Sequence, residues 1–95
     1  MDFLAKIMIN YIKSTIMQLY QPIKSTRKNK KYMVLVKGGK VIHFGDSKYK
    51  QFRDKLGVYS HLDHGDKNRR AAYYRRHGQT KNKDSSKWWS HHILW

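Results

Sequence analysis

Hydrophobic residues recur every three or four positions through residues 1–21. One side of a helix there would carry Leu4, Met8, Tyr11, Ile12, Ile16 and Leu19. The pattern predicts an amphipathic helix that ends before Pro22 and docks on its own domain or on a neighbouring protein. A helix on a membrane surface and a protein that begins at Met17 stay open as alternatives. No run in this segment is apolar enough to span a bilayer, and no signal-peptide cleavage pattern follows it.

Residues 22–31 are strongly basic. The stretch "IKSTRKNKK" has five basic residues and no apolar one after its first position. This composition predicts a solvated linker that is mobile without a partner. Lys28, Lys30 and Lys31 are candidate contacts for an anion.

The next pattern, "KYMVLVKGGKVIHFG", is typical of a β-hairpin. We expect strands at about residues 31–37 and 40–44, joined by a two-residue turn at Gly38 and Gly39. Alternation would place Tyr32, Val34 and Val36 on one face and Met33 and Leu35 on the other. Since both faces are apolar, the helices of the domain would cover one and a partner the other.

Two short helices are predicted near the hairpin and at the end of the chain. The first would begin at Asp46 or Ser47, continue to about Lys55, and pack an aromatic stripe on the hairpin through Tyr49, Phe52 and Leu56. The terminal one would be capped by Ser85 or Ser86. Its apolar residues should dock on the domain or on a partner, and the candidate docking aromatics are Trp88, Trp89 and Trp95.

The stretch "HLDHGDKNRRAAYYRRHG" predicts a third helix, over residues 67–77. Asp66 is the expected N-cap and Gly78 the expected stop. A modest seam of Lys67, Ala71 and Tyr74 would face the domain, and four arginines surround the helix on nearly all sides: Arg69, Arg70, Arg75 and Arg76. At least one arginine should therefore have a dedicated anionic partner, although solvated arginines with packed stems are the alternative.

Charge narrows the range of partners. The 95 residues hold 21 lysines and arginines against 6 acidic residues, a net charge of +15. Such a surface favours nucleic acid, an anionic membrane face or an acidic protein as partner. The chain has no cysteine, which excludes disulfides and thiolate zinc sites.

Metal binding and catalysis are weaker hypotheses. His61 and His64 have HxxH spacing, and Asp63, His77, His91 or His92 could complete a zinc site. The chain has no HExxH pattern, nucleophile elbow or P-loop, so we expect a non-enzyme without a cofactor or small-molecule substrate. A small nuclease that uses His64 and Asp66 is the enzymatic alternative.

Several motifs together resemble a family of short, basic, uncharacterised proteins from large DNA viruses of algae and protists and from some large phages. The resemblance covers about residues 22–95 and follows the pattern K-Y-x-V, I-H-F-G, H-x-D-x-x-R-R-x-x-Y-x-x-R-H and W-S-x-x-L-W. The pattern falls on Lys31, Tyr32, Val34, Ile42 to Gly45, His64, Asp66, Arg69, Arg70, Tyr73, Arg76, His77, Trp89, Ser90, Leu94 and Trp95. The resemblance implies a viral origin and a shared structural constellation of His64, Asp66, Tyr73 and His77, but no known activity.

Together these patterns predict a small α+β domain over residues 32–95, preceded by the basic linker and the N-terminal helix. The function expected first is a virion structural protein, a minor capsid or internal cement protein that bridges the major capsid protein and other virion components. It would be found in the virion and the infected host cell. The alternative is a nucleic-acid-binding or genome-packaging protein whose arginine helix contacts phosphates.

Overall fold

A three-stranded antiparallel sheet and two helices form the framework of the protein, in a computed structural model that describes residues 17–95. The strands are β1 (Ile23–Lys24), β2 (Lys30–Val36) and β3 (Lys40–Asp46), and the helices are α1 (Lys67–His77) and α2 (Ser86–Ile93). The predicted α+β class is confirmed. Within residues 17–95, no helix is long and apolar enough to cross a membrane.

The hairpin of β2 and β3 is confirmed, with a different turn. Tyr32 pairs with Phe44 and Val36 pairs with Lys40, so three residues, Lys37–Gly39, connect the strands instead of two. Gly38 and Gly39 both have positive φ angles, of 86° and 78°, which side chains rarely tolerate. The two glycines therefore supply the positive φ angles that the predicted turn requires, and the loop also contains Lys37.

One face of the hairpin forms the hydrophobic core. Tyr32, Val34 and Val36 are almost completely buried there, as the alternation predicts. Helix α2 and the residue after it cover this face with Trp89 and Leu94. The sheet and the C-terminal helix therefore hold each other in place, which gives the terminal aromatics their main role inside the domain.

Gly45 lies where Leu94 meets β3. Its φ is +77°, and an added Cβ would lie 2.7 Å from Leu94 Cδ1. Leu94 is 1% exposed and has little room to move. We expect Gly45→Ala to lower the free energy of unfolding by about 2–3 kcal/mol, because it adds backbone strain to overpacking.

Denaturant unfolding of the Gly45 variant, beside a matched Gly65→Ala variant, would measure this effect. Gly65 also has a positive φ, but nothing lies within 4 Å of its added Cβ. The loss of unfolding free energy in Gly65→Ala should therefore come from backbone strain alone. Equal losses for the two variants would contradict a packing role for Gly45.

The predicted helix from Asp46 or Ser47 to Lys55 is wrong. Residues 47–59 are irregular, and the stripe does not pack on the hairpin, since Tyr49 is 68% and Leu56 42% exposed. Tertiary hydrogen bonds replace helical ones: Gln51 N–H donates to the Leu62 carbonyl and Arg53 N–H to the Leu94 carbonyl. These partners lie far along the chain, so local spacing cannot reveal them.

Two aspartates organise this irregular segment. The Asp54 carboxylate accepts hydrogen bonds from Tyr32 Oη at 2.5 Å and from the amides of Leu56 and Tyr59. The Asp63 carboxylate accepts from Gln51 Nε2 at 2.6 Å and from the Asp54 amide at 2.7 Å. Burial raises the pKa of Tyr32, and the bond to Asp54 adds to the shift. The network anchors a loop without regular structure to the sheet.

The N-terminal helix prediction fails over the part that can be compared. Residues 1–16 lie outside the described residues, but 17–21 are not helical. Leu19 bridges Leu35, the Tyr20 amide donates to the Leu35 carbonyl at 2.8 Å, and Tyr20 has a φ of 58°. Tyr20 also stacks on Trp89 and bonds Asp84 Oδ1 at 2.7 Å, so these tertiary contacts outweigh the helical pattern.

Part of the predicted solvated linker over residues 22–31 is β-strand instead. Ile23–Lys24 forms β1, which pairs antiparallel with β2 through Ile23–Met33 and Lys24–Tyr32. The Ser25 amide donates to the Lys31 carbonyl, which closes the turn between the two strands. A sheet edge accepts a basic strand because alternate side chains can point to water.

Candidate functional site

Helix α1 has the predicted bounds. The Asp66 carboxylate caps its N-terminus by accepting from the amides of Asn68 at 2.9 Å and Arg69 at 3.2 Å. Gly78 ends the helix with a φ of 67°, and its amide donates to the Tyr74 carbonyl. Both ends follow from local chemistry, since a cap carboxylate satisfies free amides and glycine accepts a left-handed conformation.

The predicted packing seam of α1 is corrected. Tyr73, and not the proposed Lys67–Ala71–Tyr74 seam, is the buried residue of the helix, with Tyr74 half-buried beside it. The Tyr73 ring stacks on Trp95 with centroids 4.3 Å apart and planes 4° apart. Its hydroxyl bonds His91 Nδ1 at 2.9 Å, and burial raises the pKa of Tyr73. Tyr73 therefore anchors the helix in place of the predicted seam of three residues.

The four arginines of α1 have different environments. Arg69 and Arg76 are seven positions apart, which places them on the same side of a helix, and both line one groove. Arg70 lies over the Phe52 ring at 4.2 Å, so an aromatic face takes the place of the anionic partner that the sequence predicts for an inward arginine. Arg75 is exposed and does not line the groove.

This groove, which we call the basic groove, lies between α1, α2, β3 and the segment after β3. It encloses about 850 Å³. Seven lysines and arginines line it, namely Lys30, Lys31, Lys48, Lys50, Arg69, Arg76 and Lys87. His43 and His77 lie among them, and Asp46 is the one acidic residue of the described lining. The basic groove concentrates positive charge from four parts of the chain.

The aspartates of residues 17–95 accept hydrogen bonds from amide and hydroxyl groups of the fold. Asp46 accepts from the Lys48 amide, and Asp84 accepts from the Tyr20 hydroxyl and the Lys37 amide. The acceptor bonds of Asp54, Asp63 and Asp66 likewise come from hydroxyl and amide groups, as described above. The described lining of the groove holds seven lysines and arginines against the single carboxylate of Asp46, so it has an excess of positive charge that an external anion can balance.

Lys31 is the exception among the groove cations, and the prediction that it contacts an external anion is corrected. Its side chain is 2% exposed, and Nζ donates to the Tyr49 carbonyl at 2.6 Å and to Gln51 Oε1 at 2.5 Å. Burial lowers the pKa of Lys31, while nearby Asp54 acts in the opposite direction. Of the other linker candidates, Lys30 lines the groove, and Lys28 is exposed outside it.

Two members of the proposed constellation of His64, Asp66, Tyr73 and His77 contact Trp95, namely His64 and Tyr73, and the other two contact these. His64 lies 5.3 Å from Trp95 between ring centroids, and its Nδ1 accepts from the Asp66 amide at 2.9 Å. The His77 ring lies 4.4 Å from that of Tyr73. Burial is the main cause that lowers the pKa of His64, with Arg69 acting in the same direction. Of these residues, Tyr73, His77 and Trp95 line the basic groove, so their ring contacts form part of its wall.

The zinc hypothesis finds no support in the described part of the chain. His61 packs beside Tyr59, and His64 and His77 contact different rings. No three histidine, aspartate or glutamate side chains between residues 17 and 95 are arranged to hold a metal ion. His61, His64 and His77 contribute aromatic contacts to the fold instead.

The candidate docking aromatics contact the domain itself. Trp89 is buried and its Nε1 donates to the Lys83 carbonyl at 2.8 Å. Trp88 is half-buried and stacks on His92 with centroids 3.6 Å apart. Trp95 packs on Tyr73 and lines the groove. All three therefore stabilise the C-terminal part of the domain.

Sequence reasoning missed several residues of the basic groove, namely Lys48, Lys50, Lys87, His43 and Tyr49. The run "KYK" at residues 48–50 was a usable signal, since basic residues that alternate with an aromatic one are common in nucleic-acid-binding surfaces. The helix predicted over these residues would pack Tyr49 on the hairpin, so the local pattern does not reveal that this side chain is exposed.

A family model described as a family of unknown function (DUF5754) matches residues 22–77. This range holds β1, β2, β3 and α1, and it covers more than half of the chain. No curated protein and no solved structure matches the chain. The function therefore has to be argued from the site.

Proposed function

The chain belongs to this family of unknown function, DUF5754, and we propose that it binds nucleic acid without an enzymatic activity, through the phosphates that its basic groove can hold. The observation that carries the proposal is the gathering of Lys30, Lys48, Lys50, Arg69, Arg76 and Lys87 around one groove whose described lining holds a single carboxylate, that of Asp46. Uncompensated cations on a rigid frame attract a regularly spaced polyanion.

The rigid frame matters for this function. Arg69 and Arg76 project from one capped helix, and Lys87 projects from α2, which is packed on the sheet. Arginine can donate two parallel hydrogen bonds to a phosphate, while lysine acts as a point charge. A strand along the groove would meet cations from both helices and from the segment after β3.

A salt titration tests the proposal. If about four to six groove cations contact phosphates, the slope of log K against log salt should be roughly −4 to −5 for a duplex and roughly −3 to −4 for a single strand. Fluorescence anisotropy with a labelled DNA oligonucleotide, from about 50 to 200 mM salt, would measure this slope. Negligible binding at the lowest salt, or a slope near zero, would contradict the proposal.

We also propose, as a second candidate, a structural role in a virus particle as a minor capsid or internal cement protein. It is supported by the resemblance to proteins of large DNA viruses and by an exposed apolar loop, where Leu56 is 42% and Val58 53% exposed. Such a loop could dock on the major capsid protein. Purified virions separated into shell and core fractions should contain the chain, and its absence from both would remove this candidate.

A further inference from the structure

Tyr49 is an exposed aromatic ring in the lining of the basic groove. It is 68% exposed, and the other large exposed hydrophobic residues of the described chain, Leu19, Leu56 and Val58, do not line the groove. An aromatic ring loses favourable burial when it is left in water. Its location beside cations therefore suggests a ligand that covers it.

The exposure of Tyr49 does not come from a loose backbone. Its amide donates to the Asp46 carbonyl at 3.2 Å, and its carbonyl accepts from the buried Lys31 Nζ at 2.6 Å. Two residues later, the Gln51 amide donates to the Leu62 carbonyl. The segment is thus anchored before, at and after the tyrosine, while its ring extends into solvent.

The neighbours of Tyr49 complete the arrangement. Lys48 and Lys50 are exposed on either side of it in the chain, and both line the same groove. An aromatic ring between two cations matches the alternation of base and phosphate along a single strand. A duplex keeps its bases paired and stacked, so it can satisfy the lysines but not the ring.

We propose that the basic groove selects single-stranded nucleic acid, with one unpaired base stacked on Tyr49. This inference rests on the proposed function and specifies its ligand. Groove cations provide affinity for any phosphate backbone, and Tyr49 adds affinity for a strand whose bases are free. Substitution of Tyr49 should therefore change the preference among ligands, not the general attraction to phosphates.

Three labelled probes of equal length test the inference: oligo-dT of 12 nucleotides, an abasic strand with the same phosphates, and a 12-base-pair duplex. Stacking should make oligo-dT bind about tenfold more tightly than the abasic strand. Tyr49→Leu should remove this preference because leucine has no π face, and Tyr49→Phe should keep it. Anisotropy titrations of the full chain at a fixed salt concentration would measure all these affinities.

Leu56→Ala is the matched control, because Leu56 is exposed but does not line the groove. It should leave every affinity unchanged. Equal binding of oligo-dT and the abasic strand by the wild type, or equal weakening of all three probes by Tyr49→Leu, would overturn the inference. If the inference about Tyr49 fails while the probes still bind in a salt-dependent way, the proposed function stands. If no probe binds, the proposed function fails as well.

Discussion

Replacing Arg69, Arg76 and Lys87 together by glutamine is expected to weaken DNA binding about 100-fold at physiological salt. Each substitution removes one charge from the basic groove, and a charge-assisted contact with phosphate contributes on the order of 1 kcal/mol or more. The slope of log K against log salt should become less negative by about 3, since each lost phosphate contact changes it by about 1. Anisotropy titrations over a range of salt would give both quantities.

A matched triple variant tests whether binding depends on the groove cations or only on the net charge of the protein. Arg75, Lys37 and Lys40 are exposed and do not line the groove, and their replacement by glutamine removes the same charge. Because screening limits interactions of exposed charges to about 8–10 Å, this variant should lose much less affinity. Equal losses for the two triple variants would mean that binding depends on overall charge, and the proposed groove would be rejected. Circular dichroism should show both variants folded.

The second large effect concerns stability. Asp54→Ala should lower the free energy of unfolding by about 4 kcal/mol, because it leaves the buried Tyr32 hydroxyl and two backbone amides without an acceptor. It also removes a negative charge near the buried Lys31 ammonium. For a domain of this size, thermal denaturation should show a midpoint lower by roughly 15 °C or more.

Two variants check the cause of this loss. Asp66→Ala removes a carboxylate that also accepts from two amides, but on an exposed helix terminus, and should cost about 1 kcal/mol. Tyr32→Phe removes the buried hydroxyl, so adding it to Asp54→Ala should cost less than the sum of the two single effects. Strict additivity would show that the Tyr32–Asp54 bond does not contribute to stability.

Local sequence patterns predicted those parts of the fold whose hydrogen bonds join residues that are close together in the chain. The N-cap at Asp66, the stop at Gly78 and the cap at Ser85 all join groups within a few residues. The β2–β3 hairpin pairs neighbouring segments through a glycine turn. In each case the partner lies close in the chain, so the sequence contains the whole interaction.

Residues 47–59 show where local patterns are insufficient. Tyr49, Phe52 and Leu56 have helical spacing, but the backbone of this segment bonds to Leu62 and to Leu94. The helix predicted for residues 17–21 is wrong for the same reason. The backbone pairing of Leu19 and Tyr20 with Leu35 outweighs the helical spacing of the apolar residues. In both places, backbone hydrogen bonds to distant residues replace those within a helix.

By itself the sequence determined the α+β class, both ends of α1, the start of α2, the hairpin and the excess of positive charge, because each depends on composition or on neighbouring residues. Only the tertiary structure decided which cations share a groove. It placed Arg69 and Arg76 beside Lys30, Lys48, Lys50 and Lys87, turned Arg70 onto Phe52 and buried Lys31. Those assignments depend on how the helices pack on the sheet through Trp89, Leu94 and Trp95, and such long-range packing has no local signature.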